Sequence, residues 1–116
     1  MSALRSSELD LDLVFGALAD ATRRRILARL AEGTATVSEL VAPSGLSQPT
    51  VTQHLKVLEA AGLVTRERQA KYRPVRLNAQ PLASAAQWIG EYRRCWEESL
   101  DQLEAFVKTL QIKENP

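Results

Sequence analysis

The sequence holds one cysteine, one histidine and no apolar run near the roughly 20 residues that cross a bilayer. Each shortage removes a class of protein. With Cys95 alone, no disulfide can close within the chain, so a disulfide-stapled scaffold is excluded and a reducing, cytoplasmic setting is the expectation. His54 is the only imidazole, and a zinc site wants about four N, S or O ligands. No metal site and no cofactor are therefore expected. The segment 1–12 alternates charges with leucines and lacks the unbroken apolar stretch of a signal peptide, so neither export nor a membrane partner is expected. No nucleophile beside a base, no pair of carboxylates set for acid–base work and no phosphate loop stands out, and enzymatic activity is not expected. Repeats and low-complexity tracts are missing too.

What is present fits one ordinary soluble domain: 116 residues, 45% hydrophobic and 25% charged. The net charge of +1 hides an asymmetry. Residues 22–76 carry ten Lys/Arg against four Glu, a balance of +6, which leaves −5 for the two flanks. A basic middle between acidic ends suits a polyanion on one face of the fold.

Leu9, Leu11, Leu13, Val14, Phe15 and Leu18 predict a first helix, and Asp20 caps a second whose apolar face is Ile26, Leu27 and Leu30. After a link over 34–37, Ser38 is expected to start a brief helix that Pro43 to Gly45 must end. Ser47 then reads as an N-cap, with Pro49 tolerated in the first turn, and the next helix runs to Gly62. Two short helices across a tight turn have helix-turn-helix proportions. Past Gly62, two extended runs, 63–68 and 72–77, are separated by Gln69, Ala70 and Lys71, and Pro74 marks the second as an edge strand. They form a candidate two-stranded wing. From Pro81 on, Leu82, Ile89, Trp96, Leu103 and Leu110 lie seven apart, with Ala85, Tyr92, Ser99 and Phe106 between them. A single helix about 40 Å long is expected there. Such a stripe exceeds what a domain this small needs for its own core, and predicts a partner helix, most simply from a second copy of the chain.

In the second helix of the helix-turn-helix, Val51, Leu55 and Leu58 share the face to be buried. The opposite face offers Gln48, Thr50, Thr52, Gln53 and Lys56, and no acid precedes Glu59. Gln can bond adenine twice, Thr can offer its methyl to thymine, and Lys can meet guanine or a phosphate. With Ser47 at the helix start, and with Arg66, Arg68, Lys71 and Arg73 on the wing, these residues form the candidate surface for double-stranded DNA. Two residues stay outside it. His54 reads as a packing and hydrogen-bonding residue. Cys95 reads as a partly buried packing residue beside the stripe, with a thiolate activated by Arg93 or Arg94 as the open alternative.

At these residues the chain resembles the ArsR/SmtB family of winged-helix repressors, over 15–77. "LADATRRRILARL" (18–30) is similar to the family's second helix, and "LSQPTVTQHLKVLEAAGLV" (46–64) to its recognition helix and following strand. "KYRPVRLNAQPL" and "WIGEYRRCWEESLDQLEAF" are similar to a subgroup with a long C-terminal helix. The resemblance implies a homodimeric repressor on an inverted repeat, its recognition helices about one DNA turn apart. It also implies an interface built by the first and last helices, here Leu11, Phe15, Leu82, Ile89, Tyr92, Trp96, Leu103, Phe106 and Leu110. Two departures stand out. Where metal-sensing members carry Cys-x-Cys, this chain has Thr36, Val37, Ser38 and Glu39, and at the wing tip Ala70 and Lys71 replace the subgroup's Gly-Arg.

The expected fold is thus mainly α with a two-stranded β wing: one winged helix-turn-helix domain over 1–116, homodimeric through its terminal helices. A dimerisation helix is expected over 9–19, the helix-turn-helix and wing over 20–77, and a second dimerisation helix over 81–111. The expected function is sequence-specific DNA-binding regulation of transcription, as a repressor. The alternative is a winged helix that only docks proteins, which would have no use for wing arginines beside an acid-free helix start.

Overall fold

The computed structural model describes residues 6–68 and 71–114. The wing-tip residues Gln69 and Ala70, and the first five residues of the segment read for an export signal, lie outside them. The chain divides into two compact units, residues 1–85 and 86–116.

In the first unit, helix α1 (Ser6–Leu18) turns over two residues into α2 (Ala21–Ala31). The Asp20 carboxylate accepts the Arg23 backbone N–H at 3.1 Å, the cap expected of an Asp in extended geometry before a helix. Next comes a strand that sequence reasoning took for a link. β1 (Ala35–Thr36) is only two residues long, and Thr36 serves at once as its last residue and as N-cap of α3 (Val37–Val41). The Thr36 hydroxyl accepts the Glu39 N–H, and the Glu39 carboxylate accepts the Thr36 N–H, each at 3.2 Å. This reciprocal pair is a capping box, and it starts the helix one residue earlier than Ser38.

Helix α4 (Gln48–Ala60) begins at Ser47, whose hydroxyl accepts the Thr50 N–H, and ends in a Schellman motif. Gly62, at φ +74°, donates to the Glu59 carbonyl, and Leu63 donates to that of Leu58. Left-handed backbone at this position is what the glycine is for. β2 (Val64–Arg66) and β3 (Pro74–Leu77) form the antiparallel hairpin, and β1 pairs with the far side of β3, giving the order β1-β3-β2. The wing is therefore rooted in a three-stranded sheet with β3 at its centre, so the strand that Pro74 begins is not the edge expected of it. Asn78 closes its base, its N–H on the Leu63 carbonyl at 2.8 Å and its side-chain amide on the Gly62 carbonyl at 2.9 Å.

The core takes one face from each element: Val14 and Ala17 of α1, Ile26, Leu27 and Leu30 of α2, Val51, Leu55 and Leu58 of α4, with Leu63, Val64 and Val75 from the sheet side. Ala85, in α5 (Gln80–Gly90), is its last member along the chain. Leu11, Phe15 and Leu82, expected at a dimer interface, are partly buried against this same core.

The second unit corrects the single helix expected over 81–111. After α5 the Glu91 N–H is shared between the Gln87 and Trp88 carbonyls, and the Tyr92 N–H turns to Ile89, three residues back. Only then does α6 (Arg93–Glu114) continue. A ladder tightened in this way, next to Gly90, ends one helix before the next begins. Every described side chain from Ala86 to Ile112 is exposed. Cys95 is among them, without cover from its own chain.

Candidate nucleic-acid interface

Helix α4 separates its two faces cleanly. Val51, Leu55 and Leu58 have no exposed surface, while Gln48, Thr50, Gln53 and Lys56 are exposed and Thr52 is half-buried. Of the residues expected to meet DNA at the helix start, Ser47 is engaged twice within the protein. It caps the helix, and its hydroxyl lies 2.9 Å from that of Thr50. The amides of Gln53 and Gln48 and the ammonium of Lys56 have no partner among the described residues, so this face is open to hydrogen-bonding surfaces from outside.

Behind that face stands a residue the sequence reading assigned elsewhere. Arg23 was counted toward a polyanion-binding charge; its guanidinium instead serves three helices. Nε donates to the Ala17 carbonyl at 2.7 Å and Nη2 to that of Gly16 at 3.0 Å, which also accepts the Ala19 N–H, at the end of α1. Nη1 lies 3.3 Å from Nδ1 of His54, in the middle of α4. A guanidinium can only donate, so Nδ1 is the acceptor. Arg24 repeats the device, with Nη1 on the Leu18 carbonyl at 2.8 Å. His54 is thus the hydrogen-bonding residue expected from the sequence, and it ties α4 to the α1–α2 corner. The Asp20 carboxylate, 3.9 Å from Nδ1, faces the same corner. The backbone N–H of Arg23, followed by the Arg23 charge, holds the Asp20 carboxyl below its ordinary range.

On the wing the arginines divide. Arg66 was expected on the DNA-facing surface of the wing, but strand alternation turns it to the side of buried Val64; it is half-buried, and its Nε has no hydrogen-bond partner. Thr65 faces outward instead, opposite exposed Arg76. These two were missed, although the alternation Val64-Thr65-Arg66 carried the signal for Thr65. Arg68 makes a 2.7 Å ion pair with Glu59, near the end of α4. Lys71 sits over the Tyr72 ring at 5.4 Å from its centroid, and Arg73 adopts φ +45°, a left-handed conformation uncommon outside glycine. Lys71, Arg73 and Arg76 are exposed and have no ion-pair partner among the described residues. Within residues 22–76, then, Arg23, Arg24, Arg29 and Arg68 spend charge internally, Arg29 on Glu39 at 3.5 Å, Arg66 is half-buried, and Arg25, Lys56, Lys71, Arg73 and Arg76 are exposed.

In the second unit Ile89, Tyr92, Trp96, Leu103, Phe106 and Leu110 are all exposed, Trp96 by 65%. Leu100 and Val107, four residues beyond Trp96 and Leu103, extend the same face and were missed because a strict heptad count skips them. Among the described residues no group of three or more His, Cys, Asp or Glu gathers, and no helix is long and apolar enough to cross a membrane.

This geometry recurs in known proteins. A model of the bacterial regulatory proteins of the arsR family matches residues 20–66, from the Asp20 cap to the end of β2. The chain is 43% identical over 84 residues to the HTH-type transcriptional regulator Rv2034 of Mycobacterium tuberculosis, covering 72% of this chain and 75% of that one. It is 36% identical over 98 residues to the arsenical resistance operon repressor of Escherichia coli, covering 84% and 81%. A crystal structure of an ArsR family transcriptional regulator superposes with a TM-score of 0.70 at 36% identity, covering 76% of this chain and 97% of the other.

Proposed function

The chain belongs to the ArsR family and is a DNA-binding transcriptional regulator of winged helix-turn-helix fold, and we propose that it represses transcription by occupying, as a homodimer, an inverted repeat in a promoter. The observation that carries this reading is the outer face of α4. From Gln48 to Lys56 it holds hydrogen-bonding and basic groups without one acid, on a helix pinned from behind by Arg23 and His54.

In this reading Gln48, Thr50, Thr52 and Gln53 read base edges, while Ser47 and Lys56 meet phosphates at either end of the contact. Lys71 and Arg73, joined by Arg76 and Thr65, follow the neighbouring backbone or minor groove from the wing. Arg66 contributes through the positive field at the wing's root. Arg68 acts by tying the wing to α4 through Glu59. The second subunit joins through Ile89, Tyr92, Trp96, Leu103, Phe106 and Leu110, with Leu11, Phe15 and Leu82 at the margin, because a stripe this apolar needs a cover. The arsenical in the Escherichia coli repressor's name is not carried over, since one cysteine per chain cannot build a multi-thiolate centre within it.

Gln53→Ala tests the reading directly. It should weaken binding to an operator found by selection from random DNA by about 1–3 kcal/mol and relax preference at one base pair. Equal losses on operator and random DNA would remove Gln53 from base reading.

A further inference from the structure

The three consecutive arginines of α2 are not equivalent. Arg23 and Arg24 are consumed by the carbonyls at the end of α1, whereas Arg25 has neither a hydrogen-bond nor an ion-pair partner among the described residues. Arg25 stands at the edge of a cavity of about 270 Å³ between α2, α3 and the turn before α4. Ile26 and Leu40, both buried, and Leu46 make its apolar wall, and no carboxylate lines it. Arg29, one helical turn after Arg25, adds a second guanidinium to the edge, answered from outside the cavity by Glu39 at 3.5 Å. Two cations four residues apart on one helix repel each other, and an anion between them relieves that repulsion.

We propose that this cavity binds a small organic anion, a carboxylate on a short apolar body, with the carboxylate on Arg25 and the body against Ile26, Leu40 and Leu46. The chemistry of the lining selects the class. A guanidinium favours a planar carboxylate or a phosphate, and the apolar wall selects an ion that carries hydrocarbon. The volume lies just under the roughly 300–1,000 Å³ of sites for drug-sized ligands, so the occupant is small. Position gives it consequence. The turn that forms one wall is wired internally, the Ser44 hydroxyl donating to the Val41 carbonyl at 2.7 Å and accepting the Leu46 N–H at 3.0 Å. That turn runs straight into Ser47, the cap of α4, so an occupant presses on the residues that set where the reading helix starts. Ligand binding to the free protein is independent of whether α4 reads bases, and the two fail separately.

The test is a titration of the methyl-labelled full chain with hexanoate, followed by NMR, with hexan-1-ol as the uncharged probe of the same length. Hexanoate should move the Ile26, Leu40 and Leu46 methyl signals along a saturable curve. Hexan-1-ol should bind about tenfold or more weakly, the worth of a charge-assisted contact. Arg25→Gln should weaken hexanoate binding by a similar factor and Arg25→Lys by less, with thermal unfolding unchanged in both because this side chain supports no internal contact. Equal binding of the alcohol, full binding by Arg25→Gln, or shifts confined to the apolar stripe of α6 would each overturn the proposal. If Arg25→Gln keeps hexanoate binding but lowers the salt dependence of DNA binding, Arg25 belongs to a DNA phosphate and the site is not a ligand site.

Discussion

The two units of this chain carry the same kind of sequence pattern and put it to opposite uses. In residues 1–85, apolar side chains at helical spacing meet one another, and Val51, Leu55 and Leu58 vanish from the surface. In residues 86–116, side chains at equally regular spacing stay at the surface, with Trp96, Leu103 and Phe106 more than half exposed. Periodicity announces only that a face is to be buried. Whether the cover comes from the same chain depends on how many other elements share the apolar surface, and the second unit offers one long helix and the end of another.

The sharpest way to break that contrast is to remove side chains from each unit in turn. Leu55→Ala should cost about 2–5 kcal/mol of stability in urea unfolding, because the cavity cannot collapse inside α4. Trp96→Ala, measured where the chain is monomeric, should stay within about 0.5 kcal/mol of the parent. Comparable losses would mean that α6 is part of the chain's own core. Trp96→Glu addresses the cover itself: sedimentation should show monomer where the parent chain is dimeric, a loss of about 2 kcal/mol or more at a buried aromatic anchor. A dimer that persists would place the interface elsewhere.

A smaller contrast runs among the cations. Arg76→Ala should lower the slope of log affinity against log salt by about 0.9, the share of one phosphate, whereas Arg68→Ala should lower it less because Glu59 already answers its charge. Equal slopes for the two variants would erase the distinction between spent and free arginines.

The smallest effect is in acid. The Asp20 carboxyl is held below its ordinary value of 3.8, chiefly by the Arg23 N–H, and that of Glu39 below 4.5, chiefly by the Thr36 N–H and hydroxyl. Both groups have lower values in the folded state than in the unfolded one. Their contribution is therefore in place above the ordinary values and is lost as pH falls through the lowered ones. Asp20→Asn should flatten the loss of thermal stability on acidification below about pH 4, while changing little at neutral pH, since Asn also caps. An unchanged acid profile would assign the acid response to other carboxylates.

What the sequence revealed was the chemistry that acts over a few residues. The Asp20 and Ser47 caps, the Gly62 terminator and the face shared by Val51, Leu55 and Leu58 all depend on neighbours within one or two turns. The exposed polar face of α4 was legible for the same reason. What stayed hidden depends on distance. Two residues of β1 carry no periodic signal, and they become a strand only because Val75, forty positions on, supplies the ladder. Arg23 and Arg24 read as surface charge until the α1–α2 corner places carbonyls beside them. Arg66 looked like a wing cation until the register at Val75 fixed which side of the strand it takes.

Since β3 lies between β1 and β2, the hairpin's second strand is paired on both sides at its base. β1 runs directly into α3 and β2 follows directly from α4, so the ladder that holds the strands also holds the helices. Insertions or deletions between Glu67 and Arg73 would change how far the wing extends without disturbing that ladder. Reach and aim are thus separately adjustable: a descendant of this chain can lengthen its wing while α4 keeps its attachment to the sheet.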